Sequence, residues 1–185
     1  ELVQGLLEAR RVGKITVDGC EIAGASKHAA VLESCAGRLE RNAISGAADG
    51  AIWSVEGRGM AIRDNEITDC SNGGILVHRW QAGADNTLIS GNRVARIGAR
   101  NGGTGQYGNG INVFRGHGVQ IANNHVSNCA FSAIRCNSAS NAVITGNTFN
   151  GAGGMAVELA RSDSNSDLAG ITLTSNIFSS GNGRY

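Results

Sequence analysis

Six asparagines recur inside one short unit, apolar-x-x-Asn-x-apolar, and this repeat constrains the fold more than any other feature of the chain. Asn42, Asn65, Asn92, Asn124, Asn147 and Asn176 each follow an apolar residue by three positions (Leu39, Ile62, Ile89, Ile121, Ile144, Leu173). Each also precedes one by two positions (Ile44, Ile67, Val94, Val126, Phe149, Phe178). The spacing between them runs from 23 to 32 residues. Self-similarity at such a period marks a solenoid, in which each unit is too small to bury its own apolar residues and must share a core with its neighbours. An earlier copy of the unit, VDGCEI at 17–22, carries Cys20 in the asparagine position.

A second word alternates with the first. GLLEAR at 5–10, AVLESC at 30–35, AIWSVE at 51–56, GILVHR at 74–79, GINVFR at 110–115, AIRCNS at 133–138 and AVELAR at 156–161 each begin with Gly or Ala followed by an apolar residue. Those apolar residues are Leu6, Val31, Ile52, Ile75, Ile111, Ile134 and Val157. Both words are too short for helices, their apolar spacing is two or three, and β-branched residues are common in them. Gly, Asn, Ser and Asp fill the stretches between, as turns require. The expectation is an all-β chain folded as a right-handed parallel β-helix, a single-stranded solenoid of about seven coils. The asparagines then stack in one column, where Asn both tolerates a left-handed turn and offers an amide to the coils above and below.

Composition agrees. The 28 glycines suit tight corners, and the absence of proline leaves every ladder donor intact. Residues 1–185 read as a single domain without a linker or second domain. A net charge of +1 gives no general basic patch for nucleic acid. No stretch approaches the roughly 20 apolar residues of a membrane span. Residues 1–12 already read as part of a coil, and Gly181–Tyr185 follow directly on an asparagine word. The chain is therefore expected to be a segment of a longer β-helix, with self-association through its coil ends as one consequence.

Five cysteines are present: Cys20, Cys35, Cys70, Cys129 and Cys136. Cys70 and Cys129 share a column two coils apart, about 9.6 Å, which exceeds disulfide reach. No C-x-x-C pair suggests zinc, so the thiols read as small buried hydrophobes.

The segments 46–79, 91–115 and 128–149, with NGGILV and GNGINVFR among them, resemble the twin-arginine-translocated repeat family of parallel β-helix (pectate-lyase-like) proteins. The resemblance covers roughly residues 15–160. It implies a periplasmic or secreted protein exported already folded, which suits unpaired thiols, and it carries over no catalytic residues.

Strand alternation sends one column of the glycine words outward as Trp53, Leu76, Asn112, Arg135 and Glu158, and a second as Val55, His78, Phe114, Asn137 and Ala160. Two long loops, 80–87 and 97–109, belong to neighbouring coils and are expected on the same side. Arginine suits carboxylates and aromatic faces suit sugar rings. The face reads as a groove for an extracytoplasmic polysaccharide, preferably an acidic one, against the plainer reading of a solvated sheet with scattered charges. The binding candidates are Trp53, Asn112, Phe114, Arg135, Glu158, Trp80 and Tyr107.

For a polysaccharide lyase, His78, Arg79 and Arg115 are the candidate base and carboxylate neutralisers. A hydrolase needs two carboxylates at defined separation, and Glu56 and Glu158 lie about 19 Å apart by ladder spacing. No cofactor is expected. Calcium needs clustered oxygens, and Asp64, Asp69, Asp85, Asp163 and Asp167 form no evident cluster. His28, His117 and His125 read as surface residues near turns. A non-catalytic glycan-binding module and a structural or assembly rod stay open as alternatives. The same phase would turn Glu8 and Glu33 inward unless the register shifts in the first coils.

Overall fold

The computed structural model of the protein describes residues 7–102, 105–162 and 168–179. Each coil contributes three strands, and like strands stack in parallel into three sheets of seven. Sheet A comprises Leu7–Arg10, Ala30–Glu33, Gly50–Val55, Gly73–Ala84, Asn109–His117, Ile134–Asn137 and Val157–Ala160. These are the glycine words. Every asparagine word splits around its asparagine into one strand of sheet B, such as Ala61–Arg63, and one of sheet C, such as Glu66–Thr68. The fold is a parallel β-helix of seven coils, as the repeat predicts.

The core is built from stacked aliphatic columns. Ile52, Ile75, Ile111 and Ile134 pair in register from sheet A. Leu39, Ile62, Ile89, Ile121 and Ile144 do so from sheet B, and Ile44, Ile67, Val94, Val126 and Phe149 from sheet C. All are essentially inaccessible to solvent, and each such side chain stabilises the fold by about 1.5–3 kcal/mol relative to exposure. The glycines that open the sheet A words are there because the coils touch. A Cβ on Gly74 would lie 2.3 Å from the carbonyl oxygen of Gly110, and one on Gly110 would lie 2.4 Å from Val126 Cγ1.

The asparagine ladder occupies the corner between sheets B and C, and it closes its own hydrogen-bond account. Asn65 Nδ2 donates to Asn92 Oδ1 (2.9 Å) and to the Leu39 carbonyl (3.1 Å). Asn65 Oδ1 accepts from both the backbone N–H and the Nδ2 of Asn42. The pattern repeats to Asn176. One expectation is corrected. The left-handed residue is not the asparagine but the one before it: Gly19, Arg41, Asp64, Gly91, Asn123, Gly146 and Ser175 all have φ between 55° and 66°. Asparagine is selected at the corner for its amide, not for its backbone.

Two further corrections concern register. Ala30, not Val31, pairs with Ile52, and Leu7 pairs with Ala30; Leu6 lies outside the described residues. This one-residue shift flips the face of each side chain, so Glu8 and Glu33 point outward, where both pair with Arg10. The second concerns the loops. Residues 80–84 are not loop, since the strand from Gly73 runs to Ala84 and its last residues pair with Gly116 and His117. Residue 97 ends a strand of sheet C, and 109 begins one of sheet A. The two insertions therefore stand at opposite ends of the sheet A strands rather than on the same side. Both border its outer face.

Four of the cysteines are buried and Cys20 is exposed, all as free thiols. Burial pushes the Cys70 thiol up to about 11 and those of Cys129 and Cys136 up to about 12, so these three stay protonated and unreactive. Among the described residues, no helix is long and apolar enough to cross a membrane.

Candidate functional site

On the outer face of sheet A the two outward columns fall as the alternation predicts. Trp53, Leu76, Asn112, Arg135 and Glu158 pair in one row, and Val55, His78, Phe114, Asn137 and Ala160 in the other. Rings from successive coils meet there. The His28 and Trp53 centroids are 4.8 Å apart, Trp53 and His78 6.1 Å, Trp53 and Trp80 6.5 Å, and His78 and Phe114 5.9 Å. The last three pairs are edge-on, a favourable arrangement for aromatic quadrupoles. The Arg115 guanidinium closes the series 4.7 Å over the Phe114 ring. The result is an aromatic stripe crossing four coils.

His78 is the centre of this stripe, and its protonation is set by a neighbour. An indole N–H only donates, so the 3.0 Å bond from Trp53 Nε1 to His78 Nδ1 places the imidazole proton on Nε2. Burial, with a smaller contribution from His28, pushes His78 down to about 4. The ring is neutral near pH 7, and its buried Nε2–H has no hydrogen-bond partner among the described residues. In this state Nδ1 is occupied and Nε2 is a donor, so neither nitrogen presents a free lone pair.

Arg79 and Arg115 sit on a bulge. His78 pairs with Phe114, but the next pair is Gly83 with Gly116, so Arg79–Ala82 span the place of Arg115 alone. Arg79 clasps the base of this excursion: Nη2 lies 2.7 Å from Glu56 Oε2, Nη1 donates to the Gly57 carbonyl at 3.1 Å, and Asp85 Oδ2 is 3.6 Å away. Glu56 also accepts the Trp80 N–H at 2.7 Å. The effect is to present the Trp80 side chain at 62% exposure. Arg115 bonds the Trp80 carbonyl at 2.7 Å, and no carboxylate among the described residues pairs with it.

Beside the bulge lies a cleft of about 450 Å³, with Ser34, Glu56, Arg58, Arg79, Asp85 and Asn86 along it. Asp85 is 1% exposed and accepts the Thr87 hydroxyl at 2.5 Å. Burial raises its carboxyl, against the opposing pull of Thr87 and Arg79. Its Oδ2 and the buried Ser54 Oγ both lack hydrogen-bond partners.

The remaining candidates are placed differently. Asn112 and Arg135 are 1% and 9% exposed, and Arg135 pairs with Glu158 at 3.2 Å. The insertion before Asn109 covers them, the Gln106 carbonyl accepting from Asn112 Nδ2 at 3.3 Å. Tyr107, in that insertion, makes no ring contact with the stripe. The structure thus gathers Trp53, His78, Arg79, Trp80, Phe114 and Arg115, and withdraws Asn112 and Arg135 beneath a loop, with Glu158 half-buried against Arg135 and Ser132. Sequence reasoning missed His28 and Asp85. His28 stands just before a sheet A strand, and its Nδ1 accepts the Gly50 N–H at 3.1 Å; that position in the repeat is the signal that would have found it. Among the described residues no group of three His, Cys, Asp or Glu is placed to hold a metal. Asp69 is engaged by Arg96, and Asp163 and Asp167 lie outside the described residues.

Residues 5–184 match the model of the right handed beta helix region, and the chain belongs to that family. A search of curated proteins finds no match. Among solved structures, the periplasmic alginate epimerase AlgG superposes with a TM-score of 0.72 at 13% identity, covering 92% of this chain and 37% of the epimerase. The enzymatically active domain of a bacteriophage CBA120 tailspike protein gives 0.44 at 9% identity, over 94% of this chain and 39% of that one. The Dettilon tailspike protein gives 0.38 at 13%, over 89% and 42%. The chain thus spans about two-fifths of each. At these identities the likeness concerns the fold.

Proposed function

We propose that the outer face of sheet A binds an acidic polysaccharide, with the aromatic stripe as its platform and Arg115 as the partner of a sugar carboxylate. The observation that carries this reading is the pairing of stacked rings with an arginine, Arg115, that no carboxylate among the described residues engages. Aromatic faces offer apolar area to sugar rings while their edges stay polar. A guanidinium already oriented over Phe114 loses less freedom on meeting a carboxylate than a mobile one. Alginate is the first polymer to test, because it is the substrate named for the epimerase of like fold. The reading includes export to the periplasm or exterior, by the twin-arginine route that the sequence resemblance implies.

Binding is favoured over turnover in the state described. A lyase or epimerase step begins with removal of the proton next to the carboxylate, and His78 offers no free lone pair while Trp53 donates to it. Arg79 is likewise committed to Glu56 and Gly57. The test is retardation of the protein in gels containing alginate, pectate or a neutral glucan. Retardation by the acidic polymers, lost in Arg115→Gln and Trp80→Ala, is expected; equal mobility in all gels would refute the reading. Mass spectrometry of the polymers after incubation detects any shortening and would move the assignment to an enzyme.

A second reading, an assembly rod, draws on the last coil. Leu159, Leu173, Ile177 and Phe178 are 41–60% exposed there. Concentration-dependent sedimentation of the wild type, lost in Phe178→Ser, would support it.

A further inference from the structure

We propose that the corner where sheet A turns into sheet B is a rail for the acid groups of the polymer, and that it reads an acid on every second sugar; this rests on the acidic-polysaccharide reading above. The corner is one column of residues. Arg11, Ser34, Glu56, Arg115 and Ser138 each follow a sheet A strand segment directly, share a left-handed φ of 52–60° and stand in register from coil to coil. Arg161 takes the same place in the seventh coil, where the Ser138 N–H bonds the Ala160 carbonyl. Arg115 comes directly after Phe114 of the stripe. The corner therefore runs beside the rings, along the rod axis.

Positive charge without a partner collects here. At this corner and just beyond it, Arg11, Lys14, Arg58, Arg115 and Arg161 pair with no carboxylate among the described residues. Arg11, Arg58 and Arg161 are exposed and Arg115 is half-buried. Lys27 and Arg100, the other described cations outside an ion pair, stand at the opposite end of the sheet A strands. The carboxylates near the corner are already engaged: Glu33 by Arg10, and Glu56 by Arg79, with Asp85 buried beside the same arginine. Glu21 and Asp64, acids outside any ion pair, lie around the far corner between sheets B and C. Such a separation of charge draws a polyanion to one edge of the rod.

The spacing narrows the class of polymer. Arg11, Arg58, Arg115 and Arg161 belong to the first, third, fifth and seventh coils, so successive cations are two coils, about 9.6 Å, apart along the axis. The coils between offer no free charge. Ser34 and Ser138 hold the corner in the second and sixth, and Arg79 of the fourth is committed to Glu56. The fourth coil presents the Trp80 ring instead. Its backbone is held at the corner from both sides, the N–H by Glu56 and the carbonyl by Arg115. An extended pyranose chain advances by about one coil spacing per sugar. Lying along the rail, it puts one acid at Arg58, an apolar sugar face at Trp80 and the next acid at Arg115. The polymer that uses every contact is one in which acidic and neutral sugars alternate.

The experiment compares dissociation constants of the full chain for oligomers of equal sugar count from two polymers. Alginate carries an acid on every sugar; hyaluronan alternates a uronate with a neutral N-acetylhexosamine. Hyaluronan is expected to bind within about threefold of alginate, or more tightly. Arg11→Gln and Arg58→Gln, which lie outside the ring contacts, should each weaken both ligands about 2- to 5-fold with circular dichroism unchanged. Alginate bound at least about tenfold more tightly than hyaluronan would mean that neighbouring acids are both read, and would overturn the alternation. Loss of binding in Arg115→Gln with no effect of Arg11→Gln or Arg58→Gln would overturn the rail. Either result leaves the acidic-polysaccharide reading standing. Equal binding of inorganic polyphosphate would show a surface for any polyanion and overturn the sugar spacing. No binding of either glycan by the wild type would sink that reading, and the rail with it.

Discussion

The corner between sheets B and C and the outer face of sheet A are built by the same seven coils, yet they treat polar groups in opposite ways. At the corner, the repeated asparagine bonds to its copy above, its copy below and a carbonyl of the coil behind. On sheet A and at its strand ends, the residue changes from coil to coil, and buried polar atoms are left without hydrogen-bond partners: His78 Nε2, Arg79 Nε and Asn112 Oδ1. A fully satisfied network rigidifies, and a partly satisfied one is costly. The corner therefore holds the rod together, and the face is the surface proposed to bind.

Changes at the two regions should separate accordingly. The largest effect is expected for Asn65→Ala. It removes the acceptor of the Asn42 N–H and the donor to the Leu39 carbonyl, and should cost about 3 kcal/mol in denaturant unfolding. Glycan affinity of the remaining folded protein should not change. A loss below about 0.5 kcal/mol would mean that the ladder is not the principal brace.

Acid comes next. His78 is held below its ordinary value of 6.5, at about 4, chiefly by burial. Between those values the unfolded chain takes up the proton and the folded one does not, so stability is complete above pH 6.5 and falls as pH drops toward 4. The fall should be on the order of 2 kcal/mol. His78→Gln, which keeps an acceptor for Trp53, should flatten it; an unchanged profile would assign the acid sensitivity elsewhere, with His28 the first alternative because burial lowers it too.

Arg115→Gln and Phe114→Ala should leave unfolding midpoints nearly unchanged and weaken polysaccharide binding about 5- to 20-fold, in line with a cation–π contact and one charge-assisted bond. The Arg115 contribution should shrink with added salt. The smallest effect is Cys20→Asn. Cys20 already donates its backbone N–H to Asn42 Oδ1, so an amide there extends the ladder by one rung and should stabilise by about 0.5–1 kcal/mol. Destabilisation would show that the first corner differs in geometry from the rest.

Much of the corner was legible in the sequence, because a repeated residue in a repeated setting is a direct trace of stacking. Its cause was less so: the left-handed φ belongs to Arg41, Asp64 or Asn123, residue types that share nothing but their place before the asparagine. The face was legible as two columns, from Trp53 to Ala160, but not in which of their residues are covered. Strand alternation says which way Asn112 points; only the path of residues 105–108 says that it is covered. The phase at Glu33 escaped because Ala30 and Val31 are equally apolar. The bulge escaped because Gln81, Gly83 and Asp85 have the composition of a loop, whereas partners 33 residues on hold Gly83 and Ala84 as strand. Asp85 meets Arg79 only through that bulge, so no local pattern announces it.

The chain has two tryptophans, and both stand in the stripe. Their intrinsic fluorescence therefore reports the proposed site with no label. Titration with alginate should give a saturable change in emission that Arg115→Gln weakens and that a neutral glucan does not produce. A flat signal on alginate, from protein whose circular dichroism shows the intact β-fold, would contradict the assignment of this face as an acidic-polysaccharide site.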